Sequence, residues 1–206
     1  MNIRAVIFDF GGVLCFHPTE EQLAEAAAFC GVPAGDFVSL LWKYRREYDR
    51  GQDPASYWRS VAEPAGVTLD DATVAGLVRR EIAFWGRFDE RVLAWTRHLR
   101  GMGLLTGILS NLPLPLGANL RALPGFLGHF DQVTFSCELG ILKPEREIYE
   151  YALRGLGVAP AEALFLDDRP ENIEAAQELG LHAELFTTWE NFRAGHFCKT
   201  MGGATG

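Results

Sequence analysis

The stretch Ile3-Arg4-Ala5-Val6-Ile7-Phe8, which stops at Asp9, alternates too little to be a half-exposed strand. A short β-branched run of that kind suits a central parallel strand buried on both faces. Similar runs recur at Leu104 to Leu109, Gln132 to Phe135, Ala163 to Leu166 and His182 to Phe186, with helical patterns between most of them. Parallel neighbours need long crossovers, so the chain reads as βαβ units: an α/β protein whose parallel sheet is covered on both sides.

One interval breaks the rhythm. From about Phe16 to Phe88 there are four helical patterns and no convincing strand, which points to an inserted helical subdomain. Its first helix opens with the capping box Thr19-Glu20-Glu21-Gln22 and stops at Gly31. A second places Phe37, Leu40, Leu41, Tyr44 and Tyr48 at helical spacing. The third opens at Asp53-Pro54, and the fourth sets Val74, Leu77, Val78, Ile82 and Trp85 on one face. A further helix from near Asp89 to Gly101 or Gly103 returns the chain to the sheet. The expected organisation is therefore a core of 1–15 and 89–200, an insert of 16–88, and a disordered tail at 201–206, with fraying from about His196 in a Gly-rich context.

Composition narrows the function classes. With 48% apolar and 22% charged residues the chain is ordinary globular material, and it has no run near the roughly 20 apolar residues of a spanning helix. The start has neither the length nor the cleavage site of a secretory signal, so a soluble, cytoplasmic protein is expected. Cys15, Cys30, Cys137 and Cys198 are scattered, none at metal-ligand spacing, and reduced core thiols are expected. A net charge of -8 argues against nucleic-acid and anionic-membrane partners.

Parallel sheets bind ligands beyond the carboxyl ends of their strands. The residues found there are Asp9 before Phe10-Gly11-Gly12, Ser110-Asn111, the pair Asp167-Asp168, and Lys143-Pro144 after the third run. Taken singly, Asp9 suits an Asx-turn, Ser110-Asn111 a turn and Asp168 a helix cap. Lys143 is different, because a cation directly before a helix start at Pro144 opposes the helix dipole, and a broken local rule of this kind points to function. Together these groups suit phosphoryl transfer: a carboxylate can attack phosphorus only when a divalent metal and a lysine offset the repulsion between anions.

In order and spacing, Ile7-Phe8-Asp9-Phe10-Gly11-Gly12-Val13-Leu14, Leu109-Ser110-Asn111, Leu142-Lys143-Pro144-Glu145 and Phe165 to Ile173 resemble the four motifs of the haloacid dehalogenase superfamily. The resemblance implies a Rossmann-like core with a helical cap inserted after the first motif, and hydrolysis of small phosphate esters through Asp9 as nucleophile. It also implies Mg²⁺ held by Asp9, the Gly11 carbonyl and Asp168. Asp167 would stand behind them near Lys143, although the two aspartates could be exchanged, and Asn172 would orient the cluster. Ser110 and Asn111 would meet the phosphate. In the cap, Trp42, Tyr44, Arg45, Arg46 and Tyr48 are candidates for substrate contact, the two arginines foremost.

The sequence departs from the phosphatase pattern at Gly11, where most such enzymes carry a second aspartate that protonates the leaving oxygen. General acid catalysis of that kind is worth about 10² to 10⁴ in rate. Three outcomes stay open. One is a phosphatase that manages without the acid or borrows His17, similar to a bacterial subgroup acting on sugar phosphates such as glucose 1-phosphate. The second is a metal-free 2-haloacid dehalogenase, and the third is a non-catalytic binding module.

Overall fold

The computed structural model describes residues 2–201. Five parallel strands, β1 (Ala5–Phe8), β2 (Leu105–Ser110), β3 (Gln132–Phe135), β4 (Ala163–Asp167) and β5 (His182–Leu185), form one sheet in the order β3-β2-β1-β4-β5. All five were expected at these places. The chain builds outward from β1 to β3 on one side and then returns to lay β4 and β5 on the other, so β1 lies at the topological switch point, where parallel sheets open a crevice.

Burial of every β1 side chain explains the missing alternation. Val6 and Phe8 join one apolar cluster, which includes Trp95, Trp189 and Phe192, whereas Ala5 and Ile7 join the other, built on Ile148, Tyr149, Leu153 and Phe165. Period two is present, but both faces are apolar.

Between β1 and β2 the chain forms α1 (Glu20–Cys30), α2 (Ala34–Lys43), α3 (Arg45–Asp49), α4 (Pro54–Ala62), α5 (Asp71–Phe84) and α6 (Glu90–Gly101). After β2 come α7 (Leu114–Ala122), α8 (Ser136–Leu139), α9 (Arg146–Leu156), α10 (Pro170–Glu178), α11 (Trp189–Ala194) and α12 (His196–Thr200). Every strand falls outside 16–88, and α1 to α5 fall inside it. Where the chain leaves and rejoins the sheet, its two segments lie side by side, with Phe16 N donating to Arg87 O at 2.9 Å and Asp89 N to Leu14 O at 2.9 Å.

The structure revises three expectations. The second helical pattern is two helices broken at Tyr44, and the break turns α3 so that Arg45 and Tyr48 both reach Glu81 on α5. Lys143-Pro144 does not open a helix: Glu145 takes the N-cap position and α9 begins at Arg146. The segment from His196 is not frayed, because α12 buries Cys198 and rests Phe197 against the core, and Met201 just after it is buried as well. Of the expected tail, only Met201 is described and 202–206 lie outside the described residues. All four cysteines are buried, and among the described residues no single helix is long and apolar enough to cross a membrane.

Candidate active site

Asp9 follows the last residue of the central strand, and its backbone N–H still donates to Leu166 O at 2.8 Å, so the neighbouring strand β4 fixes its position. Ser110 ends β2 and Asp167 ends β4. Lys143 arrives from the turn before α9 and sits between two of these groups, its Nζ 2.9 Å from Asp9 Oδ1 and 2.6 Å from Asp167 Oδ2. The ammonium is almost fully buried, and a buried charge persists only when paired. Burial acts to lower its pKa, but the carboxylates of Asp167 and Asp9 outweigh that and raise it.

Asp167 has no free capacity. Its oxygens accept from Lys143, from Asn172 Nδ2 at 2.9 and 3.1 Å, and from Arg169 N at 2.9 Å. Asp168 is more open, with 22% of its side chain exposed, and its Oδ2 lies 2.9 Å from His17 Nε2. Asp9, Asp167 and Asp168 each bring an oxygen within 4.8 Å of the others. Burial pushes the Asp9 carboxyl up, Lys143 pulls it down, and Asp167 and Asp168 push it up again. One ammonium does not balance three clustered carboxylates, so the donor set fits a hard divalent cation with oxygen ligands.

A cavity of about 660 Å³ opens over these residues, lined also by Gly11, Ser110, Asn111, Asn172 and, from the insert, Trp42, Arg45, Arg46, Asp49 and Trp85. Asn111 spends its side chain on backbone: Nδ2 donates to Lys143 O at 2.9 Å and Oδ1 accepts from Lys143 N at 2.8 Å. It fixes the turn that delivers the lysine. Arg45 is held by Asp49 and Glu81, each at 2.7 Å, and Arg46 reaches Glu145 at 3.1 Å, so both expected substrate arginines already engage carboxylates at the cavity wall. Tyr48 is buried against Tyr57 and does not line the cavity.

Three residues in or behind the cavity wall went unrecognised in the sequence. Asp49 and Glu81 bear no motif, and Trp85 reads there only as one more residue on an apolar helical face. His17 stands at the cavity rim, and its hydrogen bond to Asp168 holds its pKa above the usual histidine value.

The haloacid dehalogenase-like hydrolase family matches residues 3–180. The chain belongs to that family. Similar to the hydrolase is the sesquiterpene phosphatase astK of Aspergillus oryzae, 29% identical over 87% of this chain and 88% of the relative. D-ribitol-5-phosphate phosphatase of Bacteroides thetaiotaomicron is 28% identical over 86% and 89%. Acyl-CoA dehydrogenase family member 10 of Mus musculus is 39% identical over 88% of this chain, but the chain spans only 18% of that protein's length. Among solved structures, the L-2-haloacid dehalogenase RSc1362 superposes with a TM-score of 0.73 at 26% identity, covering 95% of this chain and 89% of that one. The hydrolase thus resembles both phosphatases and a dehalogenase.

Proposed function

We propose that the hydrolase is a Mg²⁺-dependent phosphatase of small phosphorylated metabolites, sugar phosphates such as glucose 1-phosphate among them, acting through an aspartyl-phosphate on Asp9. The observation that supports this reading best is the meeting of Asp9, Asp167 and Asp168, the first two of them paired with one buried lysine. Asp168 and Asp9 are the carboxylates with room for a cation, since Asp167 is saturated by Lys143, Asn172 and Arg169. Asp9, the Gly11 carbonyl and Asp168 would hold the metal, which when bound offsets the charge between a phosphate and the attacking carboxylate.

The chain's own groups then divide the work. Lys143 pulls the Asp9 carboxyl toward its ionised form against the upward push of burial, aims it, and adds positive charge where the phosphate arrives. Ser110 and nearby backbone amides hold phosphate oxygens. Asp167 and Asn172 fix the lysine, and Asn111 fixes the backbone that carries it. The helical insert shields the cavity from water and meets the rest of the substrate through Trp42, Arg45 and Arg46.

A second reading, carbon–halogen hydrolysis, draws on the likeness to the dehalogenase and on Gly11. Against it, a 2-haloacid would bring its own carboxylate beside three others. One screen separates the two. Purified protein with Mg²⁺ is expected to release phosphate from aryl and sugar phosphates, to stop when the metal is chelated, and to lose turnover in Asp9→Asn while keeping its circular dichroism. Halide release from 2-chloropropionate without metal, with no phosphate released from any ester, would install the dehalogenase reading instead.

A further inference from the structure

Gly11 has a neighbour that explains it. Trp85, at the C-terminal end of α5, is 7% exposed, and a Cβ on Gly11 would stand 3.0 Å from its Cζ3 and 3.4 Å from its Cη2. Contacts that close are tighter than most side chains make, so the buried ring would have to yield by a few tenths of an ångström, and a carboxyl beyond that Cβ would have to pass it. At Gly12, where φ is +74°, a Cβ would meet Asp168 Oδ2 at 2.5 Å and His17 Nε2 at 2.7 Å. Both positions after Phe10 are crowded, by an indole above the first and an imidazole–carboxylate pair above the second, and the second also has a left-handed backbone that favours glycine. The indole is itself edge-on to the His17 ring, 6.0 Å between centroids, so the aromatic wall is continuous.

We propose that Trp85 is a specificity-determining residue. It fills, with apolar surface, the volume through which a side chain at position 11 would reach the departing oxygen. It thereby confines the enzyme to esters whose leaving oxygen is a weak base: acyl, enol and aryl phosphates, phosphoanhydrides, and among sugars the anomeric phosphates over those of primary hydroxyls. The inference rests on the phosphatase reading above and deepens it.

The chemistry balances without a donor. An Asp9 oxygen bonds to phosphorus, the bond from phosphorus to the leaving oxygen breaks, and the electron pair stays on that oxygen, which takes its proton from water. A water molecule then attacks the aspartyl-phosphate, the bond from phosphorus to Asp9 breaks, and inorganic phosphate and the Asp9 carboxylate are released with a proton lost to solvent. Without proton transfer the first step carries the full basicity of the leaving group, which kcat/KM reports because it includes only steps up to the first irreversible one.

The test is a series of aryl phosphates of graded phenol acidity together with a simple alkyl phosphate. In the wild type, kcat/KM is expected to fall steeply with leaving-group pKa, leaving the alkyl ester about 10²-fold or more below nitrophenyl phosphate. Gly11→Asp alone is expected to keep that slope, because Trp85 blocks the new carboxyl. Gly11→Asp with Trp85→Ala is expected to flatten it, and with Trp85→Val the same comparison is made with less loss of packing. A shallow wild-type slope overturns the proposal. So does Gly11→Asp flattening the slope without any change at Trp85, or a folded double variant that keeps the wild-type slope. A wild type inert toward every phosphate in the series would instead remove the phosphatase reading beneath it.

Discussion

Arg45 is enclosed by two carboxylates and two aromatic rings, with its guanidinium 2.7 Å from both Asp49 and Glu81 and 5.7 Å from the centroids of Trp42 and Tyr48. Glu81 also accepts from the Tyr48 hydroxyl at 2.9 Å, so one buried acid joins α3 to α5 twice. Burial pushes the Asp49 and Glu81 carboxyls above the usual carboxylate range, and Arg45 offsets that only in part, so the two acids depend on the arginine for what charge compensation they have inside the insert. Removing it strands both. Arg45→Met is expected to cost about 3–5 kcal/mol in urea unfolding. Replacing all three residues by apolar ones of similar volume is expected to restore most of that loss, because unpaired charge is the source of the penalty.

Local signals mark the ends of several helices. Thr19 caps α1 in a full capping box, its Oγ1 accepting from Gln22 N at 3.2 Å while Gln22 Oε1 accepts from Thr19 N at 2.9 Å. Thr19→Ala is expected to remove about 1 kcal/mol, read as a fall of about 2–4 °C in Tm for a chain of this size. Signals of this kind made most of the fold legible: Thr19 and Gly31 bound α1, Asp53-Pro54 starts α4, and short runs rich in apolar residues mark β1, β2 and β4. The candidate site was legible for a related reason, since Asp9, Ser110 and Asp167 all sit where a strand runs out. What stayed hidden depends on contacts between distant elements. The break at Tyr44 answers to Glu81, 36 residues beyond Arg45, and no local rule encodes it. The order in α12 comes from Cys198 and Met201 finding the core, against a glycine-rich composition that argued the other way. Trp85 reads as packing because its partner is a glycine, which leaves no pattern in the sequence.

Insert and sheet domain are joined along a polar seam. Glu145 accepts from Arg50 at 2.6 Å and from Arg46 at 3.1 Å, Arg50 also reaches Gly140 O at 2.8 Å, and the buried Ser136 hydroxyl donates to Asp49 O at 2.6 Å. The Arg50–Glu145 contact is about one-third exposed and Arg46 is more open still, so together they are worth ~1 kcal/mol and weaken with salt. Glu145→Ala is expected to speed amide hydrogen exchange in α3 about fivefold while leaving β1 and β4 protected, which mass spectrometry of exchanged fragments would resolve. The other junction is covalent and narrower. Because Phe16 and Arg87 are hydrogen-bonded neighbours, the sheet experiences everything between them as though it were a tight hairpin: the closure entropy is settled at the base, whatever hangs from it. A lineage could exchange that appendage for a larger or smaller one without relearning how to assemble the strands underneath.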